Sequence, residues 1–400
     1  MSGPPGVVAL TGVARPYAWG SRTAIQQLLG RPPDGQPIAE LWFGAHPDDP
    51  STVDGAPLDS LIAADPAGWL GSAGVERFGP RLPFLLKVLA AETALSIQVH
   101  PTLEQAQAGY ARDNAAGLAA DAPERNYRDA NHKPELLCAL TPFEALCGFR
   151  PVAATLALLD DLAMPELDFV ADRLRGPDPL RAAFTAVLTH PEPAALVAAL
   201  SRRTADASTG PLHGARLAAD DFPDDVGSVL TLLLNHVVLA PGEAIYLGAG
   251  TVHAYLRGTG VEVMANSDNV LRCGLTPKHV DIDELLAVTD FSELAEPRWP
   301  RADGLTFEVP VPDFRLAAFD AGSELDYVVP AGAPRIVLCT DGAVRVTSMA
   351  GGSGGGARSG PGAVPVELAP GRAAFVPAGV PVTVSGHGTA FVAAPRSSSR

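Results

Sequence analysis

Along most of the chain, apolar residues fall in short runs punctuated by glycine and proline, as in Ile245–Leu247, Val261–Met264, Arg335–Leu338 and Ala373–Val376. Runs of this length between turn residues predict strands. From Pro151 to about Ala205 the pattern changes. VAATLALLDDLA, DFVADRLRG, DPLRAAFTAVLTH and EPAALVAALSRR are alanine- and leucine-rich, with apolar positions three or four apart. That spacing predicts helices, with Asp178 and His190-Pro191 at their boundaries. Another helix is expected from about Asp224 to Leu234. The pattern describes a mainly β protein carrying an α-helical insertion. Gly351–Gly362, GGSGGGARSGPG, reads as a flexible surface loop, and Arg396–Arg400 as a disordered tail.

The β pattern repeats once. Residues 239–258 read LAPGEAIYLGAGTVHAYLRG, and residues 368–387 read LAPGRAAFVPAGVPVTVSGH. They align without a gap, matching Ala244 with Ala373, Ala249 with Ala378 and Gly250 with Gly379. Each copy reads as turn, strand, glycine turn, strand. At the position of His253 the second copy has Val382, so only the first keeps a polar residue there.

Composition narrows the class. With 400 residues, 47% hydrophobic and 18% charged, the chain is neither disordered nor dependent on disulfides to fold. The longest apolar stretches, Leu82–Ile97 and Val229–Ala240, are interrupted by charged or polar residues and fall short of a membrane span. MSGPPGVVALTG has no basic start and no long apolar core, so no secretory signal is expected. Four cysteines (Cys138, Cys147, Cys273, Cys339) without a C-x-x-C pair fit reduced thiols and a cytoplasmic location. A net charge of -16 speaks against nucleic-acid or anionic-membrane partners. Only three basic residues, Lys87, Lys133 and Lys278, are lysine, and the rest are arginine.

Candidate chemistry centres on histidine. Gln98 and His100 are two apart in the strand-like run LSIQVHP, so both side chains share a face. Glu135 opens an apolar run in NHKPELLCAL, and His253 follows a glycine turn. An amide oxygen, two imidazoles and a carboxylate suit zinc or another divalent first-row metal. Spacing alone does not join residues so far apart in the chain, and each taken singly is equally a structural residue.

At these residues the chain resembles a known family. LPFLLKVLAAETALSIQVHP, YRDANHKPELLCAL, PGEAIYLGAGTVHAYLRG and GVEVMANSDNVLRCGLTPKHVDIDEL, with RPYAWGS and AELWFGAHPDDPS, are together similar to the type I mannose-6-phosphate isomerases. The matching segments run in order from Tyr17 to Phe291. The resemblance implies a bicupin, two jelly-roll β-barrels, with the helical insertion. It implies a catalytic cupin formed by residues 1–150 and 224–300, an insertion at 151–223 and a degenerate cupin at 301–400. It also implies one Zn2+ per chain on Gln98, His100, Glu135 and His253. Two departures are Gly248, where a proline is common, and Thr93, where many members carry lysine.

The implied reaction interconverts mannose 6-phosphate and fructose 6-phosphate by moving a proton between C2 and C1 through an enediol. Arg272 is the first catalytic candidate, a permanent cation able to stabilise an enediolate. Lys133 is second, as a base. Glu262 and Asp268 are carboxylate rivals, and His132 is a candidate for ring opening. Ser96, Lys87 and Lys278 are candidates for the phosphate end, and Trp19, Glu40 and Tyr255 for the sugar pocket. The expected partner is a small sugar phosphate, the expected state a monomer, and the expected setting carbohydrate metabolism linked to glycolysis and GDP-mannose supply. Rival readings are an isomerase of another aldose, a non-catalytic sugar-binding cupin, and a metal-dependent cupin oxygenase.

Overall fold

The structure is a computed structural model that describes residues 6–329, 331–349 and 365–396. The glycine-rich stretch from Gly351 to Gly362 and the tail beyond Arg396 lie outside the described residues. The chain divides into two compact units. One takes in residues up to Ala90, Val261–Asn266 and everything from Pro300, and the other Ala91–Gly260 and Ser267–Trp299. These units cut differently from the division expected at residue 150. The reason is backbone pairing: Val8–Leu10 lies antiparallel to Arg372–Val376, with Val8 opposite Phe375, so the N-terminal segment belongs to the C-terminal sheet.

In the first unit an antiparallel sheet runs Val8–Leu10, Arg372–Val376, Arg335–Ser348, Val382–Ala394, Arg315–Val329, Thr306–Phe307. Its alternating valines and alanines, among them Val337, Val344, Val346, Val382 and Val384, close over a buried apolar core. Glu40–Phe43 pairs with Val13–Arg15 on one side and Phe84–Ala91 on the other, with Trp42 opposite Lys87.

In the second unit one sheet runs Leu234–Leu239, Phe143–Phe149, His253–Ala265, Ile97–Val99, Leu271–Gly274, and Ala244–Leu247 pairs with Glu135–Ala139. Helices Val152–Leu162, Asp168–Leu174, Pro179–Leu188 and Pro193–Thr204 form where the apolar periodicity predicts them. The third shows why. Leu180, Ala183, Phe184 and Val187 form one buried stripe, behind Asp178 at the N-cap and Pro179 at the first helical position. Phe184 meets Phe149 of the sheet and Phe291, with ring centroids 5.6 and 5.7 Å apart.

Some helical detail differs. Within the insertion expected at 151–223, the helix Gly210–Asp221 lies beyond the stretch marked by apolar periodicity. It is held from outside by Asp221, which accepts two bonds from Arg257, at 2.7 and 3.1 Å, and one from Ala94 N. The helix expected over 224–234 is only Gly227–Leu230 and a 3-10 turn, because Leu234 already starts a strand. Buried Arg150 terminates that turn by donating to Leu232 O and Leu234 O. Leu103–Ala115 was also unread, although Thr102 and Gln105 form a reciprocal capping box at its start. No single helix among the described residues is long and apolar enough to cross a membrane. The four cysteines are free and buried.

The two sequence-repeated segments are alike in local conformation. Gly242 and Gly371 have φ of 87° and 72°, and Gly250 and Gly379 both have φ of 79°. His253 and Val382 each open the following long strand. Left-handed φ is the reason both copies keep glycine before that strand.

The helical side of the second unit also carries a charged contact. His236 Nε2 donates to Glu144 Oε2 at 3.0 Å, and His213 Nε2 is 3.3 Å from the same oxygen. The His236 bond, ahead of the histidines' charge, holds the Glu144 carboxyl below its ordinary value of 4.5. With the folded-state value depressed, this contribution is complete above the ordinary value of 4.5 and is lost as pH falls through the folded value. Glu144→Gln is expected to cost about 1 kcal/mol at pH 7, a figure kept small by the site's partial exposure. Denaturant titrations at pH 7 and pH 4 should show the gap between variant and parent narrowing in acid. A gap of constant size would remove the ionised carboxylate from the account.

Candidate metal centre

The site is assembled on the second unit's strands. Arg272 lies opposite Gln98, Gln98 opposite His253, and His253 opposite Cys147. Residues directly opposite on neighbouring strands share a face, so Arg272, Gln98 and His253 form one cross-strand row. The alternate positions Ile97, Val99, Leu271 and Ala254 turn the other way into the apolar core. His100 follows the strand and is fully buried, like His253. Glu135 opens its own strand opposite Leu247.

Three side chains converge. His100 Nε2 is 3.4 Å from Glu135 Oε1, and His253 Nε2 is 3.4 Å from Glu135 Oε2. The two imidazole rings are 5.0 Å apart. The far nitrogen of each ring is occupied. His100 Nδ1 is 2.8 Å from Asn269 O, and His253 Nδ1 is 2.9 Å from Thr251 O. A carbonyl can only accept, so each Nδ1 carries the proton and each Nε2 presents a lone pair. His100 Nε2, His253 Nε2 and Glu135 Oε2 are buried and have no hydrogen-bond partner among the described residues.

Burial, and then the charge of Lys133, pushes the His100 value down to about 4, so the ring stays neutral. Burial alone would raise Glu135. The Lys133 ammonium, 3.2 Å away, outweighs it and holds this carboxyl well below the ordinary range. Three buried acceptors therefore face one another with no donor between them. Unmet buried polar groups cost about 1–3 kcal/mol each, and a divalent cation removes that cost. The 3.4 Å spacing also fits the edge of a tetrahedron with bonds of about 2.0–2.1 Å to nitrogen and oxygen. The residues fit a zinc-type ion, and the structure groups His100, Glu135 and His253 as a possible metal set.

A family model for the catalytic domain of type I phosphomannose isomerase matches residues 7–152. Mannose-6-phosphate isomerase of Escherichia coli (strain K12) is 42% identical over 389 residues, covering 93% of this chain and 95% of that protein. The Rattus norvegicus protein of that name is 34% identical, with 85% of this chain and 88% of that protein covered. The chain belongs to the type I phosphomannose isomerase family.

Solved phosphomannose isomerases agree. The apo form from Salmonella typhimurium superposes with a TM-score of 0.88 at 38% identity, covering 98% of this chain and 100% of that one. A mannose 6-phosphate isomerase structure bound with zinc and yttrium gives 0.87 at 38%, with the same coverage.

Within this phosphomannose isomerase chain the other expected residues fall in two groups. In the second unit, Lys133 sits against Glu135, and half-buried His132 lies next to it in the chain. Burial and the nearby charge of Arg128 lower the Arg272 value. Lys278 is lowered by burial and by Arg272 and Arg128. Asp268 is held through its backbone, N donating to Asp129 Oδ2 at 2.7 Å. Tyr255 is buried edge-on against Phe143, and Ser96 lies half-buried just before the Gln98 strand. In the first unit, Lys87 Nζ is 3.0 Å from Glu262 Oε2 and 3.4 Å from Glu40 Oε1, all buried. Trp42 Nε1 donates to Glu40 at 2.7 Å, and Trp19 stacks on Tyr17.

The sequence reading missed the frame around the ligands. Asn269 donates from Nδ2 to Asp129 O and Asn131 O, accepts from Arg128 N at Oδ1, and offers its own carbonyl to His100. Asp129 accepts from Ser267 Oγ and Asp268 N. The available signal was the density of Asp and Asn in YRDANHK and NSDN, short side chains that bond to nearby backbone. Arg128 was missed as well. Its neighbourhood to Arg272 and Lys278 is a matter of folding, not spacing.

Asn269→Ala should weaken the centre without touching a ligand. Loss of a residue that orients a metal ligand typically costs 10–100-fold in metal affinity. Competition with a chromogenic chelator should show a loss of that order, and an unchanged affinity would make Asn269 merely structural.

Proposed function

We propose that this chain is a zinc-dependent isomerase interconverting mannose 6-phosphate and fructose 6-phosphate. The observation that carries the reading is the buried trio of lone-pair donors, His100 Nε2, His253 Nε2 and Glu135, in a chain of this family. Gln98, in the same cross-strand row as His253, completes the set that would hold Zn2+. When bound, zinc supplies Lewis-acid polarisation of the sugar's C1 and C2 oxygens.

The chain's own residues supply the rest. The reaction removes a proton from C2 of the open aldose and returns one to C1, through an enediol. Arg272, in the row beside Gln98, stabilises the developing enediolate with a guanidinium that remains charged. Lys133, mostly buried beside Glu135, is the preferred base. Glu262 and Asp268 follow as alternatives, and His132 assists ring opening. The cations Arg272 and Lys278, joined by Arg128, make a local positive field for the phosphate dianion within an acidic chain. Ser96 and Lys87 complete the phosphate end, and Trp19, Glu40 and Tyr255 shape the sugar pocket.

The finer architecture belongs to the same proposal. The matched turns at Gly250 and Gly379 support a duplicated cupin, with residues 151–223 inserted as helices. In this reading 1–150 and 224–300 carry the metal cupin, apart from the strand Val8–Leu10 that pairs in the C-terminal sheet, and 301–400 the degenerate copy. We propose a cytoplasmic monomer that partners neither nucleic acid nor membrane and links glycolysis to mannose metabolism and GDP-mannose supply.

Metal analysis should find about one zinc per chain. Exhaustive chelation should abolish conversion of mannose 6-phosphate to fructose 6-phosphate, and zinc should restore it. Full activity without metal would sink the zinc reading. Arg272→Ala should lower kcat a hundredfold or more, and a normal kcat would remove it from the chemistry. Glucose 6-phosphate and free mannose, assayed alongside, separate this activity from isomerisation of other aldoses.

A further inference from the structure

Away from the residues assigned above, the first unit contains a cavity of about 430 Å³. That volume lies in the range of small-molecule sites. Its walls are the 70–83 segment, Gly332–Pro334, Ala378–Gly379 and Pro395–Arg396. Three of the lining residues, Arg77, Arg81 and Arg396, are arginines, and none is a carboxylate. In a chain with 45 acidic and 29 basic residues, such a one-signed lining is unusual.

The walls are tied together by backbone. Ala378 N donates to Trp69 O at 3.0 Å and Gly379 N to Gly332 O at 2.9 Å. Arg77 NH1 donates to Arg396 O at 2.8 Å. The cavity is therefore a formed site and needs no rearrangement. Among the described residues the Arg81 side chain makes one bond, from Nε to Phe78 O at 3.1 Å, which fixes its plane and leaves NH1 and NH2 for a ligand. Arg396 is anchored by NH1 to Val309 O, with Glu308 only a loose neighbour at 3.7 Å. Guanidinium forks set in this way suit the oxygens of a phosphate. Leu70, Phe78 and Pro334 offer a bare ion nothing but suit an apolar or planar body.

The location adds a further point. Ala378–Gly379 is the counterpart of Ala249–Gly250, the turn that leads into His253. The same left-handed turn introduces a metal ligand in one copy and borders an arginine-lined cavity in the other. We propose that this cavity is a binding site for an organic phosphate with an aromatic or apolar body, separate from the isomerase residues.

Adenosine monophosphate tests this, with adenosine, inorganic phosphate and benzoate as partial probes. In calorimetric titrations of the zinc-loaded enzyme at 0.15 M salt, adenosine monophosphate should bind once per chain, at least tenfold tighter than each partial probe. Arg81→Ala should weaken it tenfold or more, and Arg81→Glu and the cavity-filling Ala73→Trp should abolish it. All three variants should keep their kcat and KM for mannose 6-phosphate when no nucleotide is present. The proposal is overturned if adenosine monophosphate does not bind, if a partial probe binds as well, or if binding survives Arg81→Glu, which would place the nucleotide elsewhere.

Discussion

The constraint on which the site depends is the burial of Glu135. A carboxylate taken out of water costs several kcal/mol unless charge and hydrogen bonds are supplied to it. Lys133 supplies one charge at 3.2 Å. The two histidines do not supply the donors they normally would, because their Nδ1 protons are committed to Asn269 O and Thr251 O. The result is a set of acceptors aimed at one another. Protonating His100 would relieve part of the conflict, but burial lowers its value to about 4, so near neutrality that ring stays neutral. A divalent cation satisfies all three atoms together. The polypeptide has built a frustrated site whose relief is metal binding.

The surrounding structure keeps that frustration from collapsing. Strand pairing sets His253, Gln98 and Arg272 in one row, and a one-residue slip would turn all three into the apolar core. The Asn269–Asp129 network ties the loop carrying His132 and Lys133 to the segment that receives His100. Behind the sheet, Phe184 and Phe291 pack on Phe149, so the helices serve as backing for the strands that hold the ligands. Rigid elements suit this task, since an acceptor cluster on mobile loops would simply spread apart.

The candidate residues were legible one by one, because strand geometry makes Q-x-H a same-face pair and a left-handed glycine marks the turn before His253. The helices at 152–204 were legible because a buried stripe has to repeat every three or four residues. Helix Gly210–Asp221 was not, since GPLHGARLAADD is weakly apolar and is held by Asp221 and Arg257, partners 36 residues apart. The grouping of the N-terminal strand with the C-terminal sheet was hidden for a similar reason. Val8 and Phe375 carry no local mark of their pairing. Long-range contacts are fixed by the whole core, so no local window can show them.

The lysines bring these threads together. The three lysines of the chain have different surroundings. Lys133 faces one carboxylate of the metal set, while Lys278 stands among arginines. Lys87 bridges Glu40 and Glu262 from strands on a single unit, over the ring of Trp42. A planar guanidinium would need its fork aligned with one partner, whereas an ammonium serves both as a point charge. At Lys87 lysine sits where a compact charge meets two carboxylates from different strands at once.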